Sequence, residues 1–336
     1  MTPASQGRLD VVGIGNALVD VLSHESDDFV VEHGLARGAM GLVDETRAEE
    51  LYSAMGPATE VSGGSAANTM VGIASFGGSA AFVGRVSDDE LGRVFGHDIR
   101  AAGVQFEALP VSGGAPTGRC LVVVTPDAHR TMSTFLGASA QLGPDDIDHD
   151  LVARAQVLYL EGYLWDEGPA REAFREAARV AHDAGNRVAF TLSDGFCVDR
   201  HRREFLELVD DEVDVLFANE VEITSLYQVD HFDDALQRVN HSCEIAALTR
   251  SEKGAVVVTR DEVHVIDARP VAEVVDTTGA GDLFAAGFLY GLTHGYDLGT
   301  AGRLGALAAS EVIGHLGARP AVSLAELARP LLASHA

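Results

Sequence analysis

The stretch Asp276-Thr277-Thr278-Gly279-Ala280-Gly281-Asp282 runs without a break into Leu283-Phe284-Ala285-Ala286-Gly287-Phe288-Leu289, a segment of helical character. Small residues at 279 to 281 let backbone N–H groups converge on an incoming oxyanion. The unpaired amides and the positive dipole end of the helix face the same spot. Gly279, Ala280 and Gly281 therefore make a candidate anion hole. Asp282 stands where a carboxylate could take the proton of a hydroxyl as that oxygen attacks phosphorus. Capping the helix is the other role open to an aspartate there, but two threonines and two glycines ahead of it favour the chemical one.

A second glycine cluster, Gly13-Ile14-Gly15-Asn16-Ala17-Leu18, starts like a dinucleotide fingerprint but has Leu where the third glycine belongs, and Val19-Asp20 follow where a helix should begin. No Gly-x-x-x-x-Gly-Lys-Ser/Thr occurs, and the sole lysine sits in Glu252-Lys253-Gly254. With Rossmann and P-loop devices disfavoured, the 276–282 stretch is the remaining means of handling phosphate. Two further groups have chemical potential: Gly63-Gly64-Ser65-Ala66-Ala67-Asn68, and Asn219 with Glu222, three residues apart and so able to face the same way on a helix.

Strand-like runs must position these groups. Leu9–Gly15, Ala80–Gly84, Gln156–Glu161, Arg187–Thr191, Val213–Phe217, Ile245–Thr249 and Ala255–Thr259 read as strands, apolar on both faces. Helical spacing occurs between them at Ser65–Phe76, Asp88–Ala101, Pro169–Ala184, Asp199–Val209 and Phe232–Asn240, and after them at Leu283–His294, Leu298–His315 and Leu324–Leu332. This alternation predicts an α/β fold with a mainly parallel central sheet covered by helices on both sides. One region departs from it: Arg119–Thr125, a turn at Pro126-Asp127-Ala128-His129, and Arg130–Leu136 read as an antiparallel pair. With Ala39–Val43 they predict a small sheet outside the main one, a lid, the alternative being an antiparallel edge on the main sheet.

The 336 residues carry 24 Lys+Arg against 51 Asp+Glu, a formal charge of −27, which argues against nucleic acid or an anionic membrane surface as partner. At 46% hydrophobic and 22% charged the chain has globular composition. Residues 1–10 contain no apolar signal region and the longest nearly apolar stretch, Leu283 to Leu292, is half a membrane span, so a soluble cytoplasmic protein is expected. Cysteines 120, 197 and 243 are odd in number and widely separated, as expected for reduced, buried thiols.

Residues 276–289 resemble the C-terminal signature of the ribokinase-like, or PfkB-type, carbohydrate and nucleoside kinases. Gly63 to Asn68 is similar to that family's N-terminal substrate motif, with Met70 where many sugar kinases have a small residue, and Asn219-Glu220-Val221-Glu222 fits its Asn-x-x-Glu motif. Within the family, Gly15-Asn16-Ala17-Leu18-Val19-Asp20, Phe29 to Leu35, Arg130-Thr131-Met132 and Phe135 to Ala138 look most like the adenosine kinases, with Ala17 replacing a usual proline. The resemblance implies a three-layer ribokinase-like sandwich spanning residues 1–336 as one domain, with a β lid from segments near 17–44 and 117–137. It implies transfer of phosphate from Mg²⁺-ATP to the 5′-hydroxyl of adenosine, in a monomer or homodimer. A sugar kinase acting on ribose, fructose or a related ligand is the alternative, and a non-catalytic ligand-binding protein of the same fold a more distant one.

The resemblance also implies roles. Asp282 would be the base, beside the 279–281 amides. Asp20 would hold two ribose hydroxyls, with Asn16, Gly63, Gly64 and Asn68 on the same sugar edge; Asp20 is expected at the end of the first strand. Phe135 would cover the purine face or else anchor the lid. Arg130 would grip the transferring phosphoryl group or else be an exposed hairpin arginine. Glu222 would orient water around Mg²⁺ and Asn219 the phosphates, their other role being a helix cap and a solvated face. Thr249, Arg250, Gly254 and Thr278 are assigned to ATP, Arg250 departing from the glycine common in sugar kinases. Monovalent-cation activation, common in the family, would involve the Asp276 loop.

Overall fold

A computed structural model describes residues 7–107, 113–127, 129–166 and 168–333. Its main sheet has eight strands, in the spatial order Val263–Ile266, Ala255–Val258, Ile245–Thr249, Val215–Asn219, Arg187–Thr191, Ala155–Glu161, Leu9–Ile14 and Ala80–Val83. The six from Ile245–Thr249 to Ala80–Val83 run parallel, and the last two at the other edge pair antiparallel. Successive side chains of a strand point to opposite faces, and here both faces are buried. Val11 and Val157 enter a core with Met70, Leu283 and Leu304. Val12 and Leu158 enter the other, with Phe174, Phe205 and Leu226. The helices Ser65–Ser75, Ala280–Thr293 and Leu298–Val312 thus cover one face, and Gly168–Asp183, Gly195–Asp211 and Glu220–Tyr227 the other.

The second sheet has five strands, in the order Met40–Leu42, Arg130–Phe135, Gly118–Val124, Leu18–His24 and Ala58–Gly63. The expected antiparallel pair is present, with Val124 opposite Arg130 and Arg119 opposite Phe135; Ala128, in its turn, lies outside the described residues. This sheet is larger than the sequence suggests. Asp20 belongs to it rather than to the first strand, because the chain leaves the main sheet at Ile14 and resumes as Leu18–His24, pairing with both Ala58–Gly63 and Gly118–Val124. Gly15 and Asn16, part of the second glycine cluster, are the turn residues that separate Leu18 to Leu22 from the first strand as a new element. Cys120 and Cys197 are buried, Cys243 is partly buried, and all three are free thiols. Among the described residues no helix is long and apolar enough to cross a membrane.

Candidate active site

A cavity of about 1710 Å³ lies between the lid sheet and the C-terminal ends of the parallel strands, the usual place for ligands on such sheets. That exceeds the several hundred Å³ of a typical one-ligand pocket, so two ligands can lie in it side by side.

At its centre, Gly279 caps the helix Ala280–Thr293 with a left-handed backbone conformation. Asp282 is consequently inside the first turn and does not cap it; its carboxylate instead accepts from Ser65 Oγ at 2.7 Å and from Asn68 Nδ2 at 3.1 Å. Burial raises its pKa, while the two hydrogen bonds oppose the rise by stabilising the ionised form. A carboxylate raised in this way is a stronger proton acceptor than a surface aspartate. Thr277, Thr278, Gly279, Ala280 and Gly281 line the cavity beside it. Arg130 reaches this loop from the lid, 2.6 Å from Asp276 Oδ2 and donating from Nη1 to Thr278 Oγ1 at 2.9 Å. It is therefore largely buried rather than an exposed hairpin residue.

One end of the cavity carries Asp20, Asn16, Gly64, Ser65 and Asn68. Burial pushes Asp20 up to about 6, against the pull of Arg319 and Arg130. Gly63 does not line the cavity; it lies behind Asp20, where an added Cβ would come within 2.4 Å of the carboxylate. Gly15 makes the same kind of room for Glu161, whose carboxylate would stand 2.4 Å from a Cβ there. Glu161 accepts from the Asn16 backbone N–H at 2.7 Å, Asn16 Nδ2 at 2.8 Å and the Ala66 N–H at 2.8 Å. Burial raises it to about 7 despite those bonds. Asn16 therefore uses its amide on Glu161 and Ser139 and is 3% exposed, so it shapes the site more than it meets a ligand. Beyond the polar end the lid supplies an apolar wall of Leu18, Leu22, Met40, Leu42, Val122 and Met132, with Tyr163 lining the cavity as well.

At the other end lie Thr249, Gly254, Arg269, Ala309 and Ile313. Glu222 and Asn219 are there too, locked in a reciprocal cap: Asn219 Oδ1 accepts from the Glu222 N–H at 2.9 Å, and Glu222 Oε2 from the Asn219 N–H at 2.9 Å. Burial pushes Glu222 up to about 7. Among the described residues no group of three or more His, Cys, Asp or Glu could hold a metal ion. A single buried carboxylate on the cavity wall at this end, Glu222, fits Mg²⁺, which keeps most of its waters and is carried by substrate phosphates, and does not fit a cation held by an all-protein cage.

Besides Gly63, two residues assigned to the site from the sequence, Phe135 and Arg250, do not line the cavity. Phe135 does not line the cavity: Arg130, Met132 and Thr134 do, and the two-residue period of the strand turns Phe135 to the opposite face. Arg250 is also absent from the lining; it bonds Glu220 Oε1 at 3.0 Å and lies over the Phe232 ring, 4.0 Å from its centroid. Of the residues missed, Glu161 had a signal, a charged residue closing the apolar run Val157 to Leu160. Arg319 and Tyr163 belong to no pattern that points to them.

Residues 39–324 match the model of the pfkB family carbohydrate kinases. Among curated relatives, the chain is 29% identical over 266 residues to 5-dehydro-2-deoxygluconokinase of Geobacillus kaustophilus, covering 76% of this chain and 79% of that one. It is 30% identical over 245 residues to probable fructokinase-6, chloroplastic, of Arabidopsis thaliana, covering 70% and 63%. Among solved structures it is 52% identical to adenosine kinase from Sinorhizobium meliloti, with a TM-score of 0.91 over 97% of this chain and 100% of that one. A probable sugar kinase from Rhizobium etli is 51% identical, also at 0.91, over 97% and 99%.

Proposed function

Because the chain belongs to the pfkB family of carbohydrate kinases and is a phosphotransferase acting on sugars or nucleosides, we propose that its acceptor is adenosine, phosphorylated on the 5′-hydroxyl to AMP. The observation that carries this reading is the two-sided acceptor end. Ionised Asp20 can accept from two vicinal hydroxyls, and the lid beyond it offers Leu22, Met40, Leu42 and Met132, a mainly apolar wall in which His24, Thr59 and Thr134 are the further polar side chains. A purine suits such a wall. The adenosine kinase at 52% identity supports the same acceptor.

In the reaction, Asp282 takes the proton of the 5′-hydroxyl as O5′ forms its bond to the γ-phosphorus. The bond from that phosphorus to the bridging oxygen breaks, and ADP leaves with the electron pair. The amides of Gly279 and Gly281 and the Arg130 guanidinium stabilise charge on the transferring oxygens, whereas the Ala280 amide donates to the Thr277 carbonyl at 3.2 Å and is not free to do so. Mg²⁺ bound with ATP supplies neutralisation of phosphate charge. Ser65 and Asn68 hold Asp282 in place, and closure of the lid would exclude water that could otherwise accept the phosphoryl group.

A free sugar is the second reading, and the curated relatives favour it, since 5-dehydro-2-deoxygluconokinase and the fructokinases are named for sugar substrates. An acceptor panel decides between them. Burying an aromatic face of about 150 Å² at about 25 cal/mol per Å² is worth about 4 kcal/mol, or a factor of several hundred. With ATP fixed, kcat/KM for adenosine is therefore expected to exceed that for ribose or fructose by about a hundredfold or more. A hexose or pentose consumed faster than adenosine would transfer the assignment to the sugar.

A further inference from the structure

We propose that Arg319 is a positioning residue for phosphoryl transfer: it fixes the orientation of the Asn68 amide against the base Asp282, and it places a positive charge beside Asp20. The proposal rests on the reading that acceptor hydroxyls sit on Asp20.

Arg319 follows the helix Leu298–Val312 and lines the acceptor end of the cavity. Its Nη1 meets Asp98 Oδ2 at 3.0 Å, and its Nε donates to Asn68 Oδ1 at 3.4 Å. Nη2 is buried with no hydrogen-bond partner in the protein. Asp98 is itself fixed, accepting from the Ser62 N–H at 2.9 Å and Ser62 Oγ at 2.6 Å. A guanidinium can only donate and a carboxylate can only accept. With Asn68 between the two, its oxygen must face Arg319 and its NH₂ must face Asp282, as seen at 3.1 Å. The flipped amide would set donor against donor and acceptor against acceptor. Arg319 thereby keeps a hydrogen-bond donor on the base without touching the reacting atoms.

The second effect is electrostatic. The charged and titratable groups facing Asp20 are Arg319 from the C-terminal segment, Arg130 and Cys120 from the lid strands, and Asp282 from the helix Ala280–Thr293. Burial raises Asp20 to about 6, and Arg319 is the foremost influence lowering it, ahead of Arg130. Only the ionised carboxylate accepts freely from two hydroxyls. Removing the Arg319 charge favours the protonated form, so activity that requires ionised Asp20 is lost at a higher pH.

The test is the pH profile of kcat/KM for the acceptor in the wild type, Arg319→Gln and Arg319→Lys, with thermal melts on each. The wild-type acid limb is expected near 6. The Gln variant should move it upward by about one unit, lowering kcat/KM about twofold at about pH 7 and about tenfold well below about pH 6, with the ATP KM unchanged within about twofold. The Lys variant should restore the limb. Arg319→Met, which also removes the charge, replaces Gln should that variant not fold. A limb unmoved in the charge-removed variant, or moved equally in the Lys variant, would overturn the inference. A wild type that makes no AMP from adenosine contradicts the adenosine reading instead, and the same profiles are then run with the sugar it does phosphorylate.

Discussion

Asp282→Asn is expected to lower kcat by about a hundredfold or more, the usual contribution of a general base, while the protein keeps its fold and its affinity for ATP. The site explains why the loss should fall on turnover. Asp282 caps nothing, so the helix Ala280–Thr293 does not depend on it, and Gly279 keeps the N-terminal amides in place. What the substitution removes is the proton acceptor. It also turns an NH₂ toward one of the two donors, Ser65 Oγ or Asn68 Nδ2, that now converge on the carboxylate. Steady-state kinetics with a thermal melt check this outcome. A variant with near wild-type turnover would remove Asp282 from the reaction.

Asp20→Asn is expected to act on a different constant. Hydrogen bonds to a charged group contribute about 1.5–3 kcal/mol each, and the ionised carboxylate can accept from two hydroxyls of one acceptor. Losing the charge should lower kcat/KM for the acceptor by about a hundredfold to ten-thousandfold, with the ATP KM little changed, because Asp20 lies at the opposite end of the cavity from Thr249 and Gly254. Kinetics with each substrate varied in turn separate the two constants. A loss shared equally by both substrates would place Asp20 in the framework of the lid and not on the acceptor.

Much of the fold and part of the cavity lining were legible in the sequence. The signature at 276–282 and the block at 63–68 are contiguous, and each meets the cavity through one helix N-terminus, so local sequence places them well. The parallel core was legible because its strands are apolar on both faces. The lid was read only in part. Its strand Ala58–Gly63 is mostly exposed or half-buried and carries little hydrophobic pattern, and Leu18–His24 follows the first strand after only Gly15, Asn16 and Ala17, too short a break to show that it joins a different sheet. Phe135 shows how far alternation decides: one residue along the strand exchanges the cavity face, held by Arg130, Met132 and Thr134, for the far one. Arg319 was invisible because its role depends on Asn68 and Asp98, 251 and 221 residues away in the chain.

The formal charge of −27 is compatible with binding ATP because the cavity offers local donors: Arg130, Arg200, Arg269 and Arg319 line it. Long-range repulsion is screened within about 8–10 Å at ordinary salt, so short-range contacts set the affinity.

The most direct measurement is a crystal structure with adenosine and a non-hydrolysable ATP analogue. The expected density has ribose hydroxyls on Asp20, the purine against Met40 and Met132 of the lid, and O5′ within hydrogen-bonding distance of Asp282, in line with the γ-phosphorus. A nucleoside found only at the Thr249–Gly254 end, or a ribose turned so that O5′ points away from Asp282, would contradict the assignment.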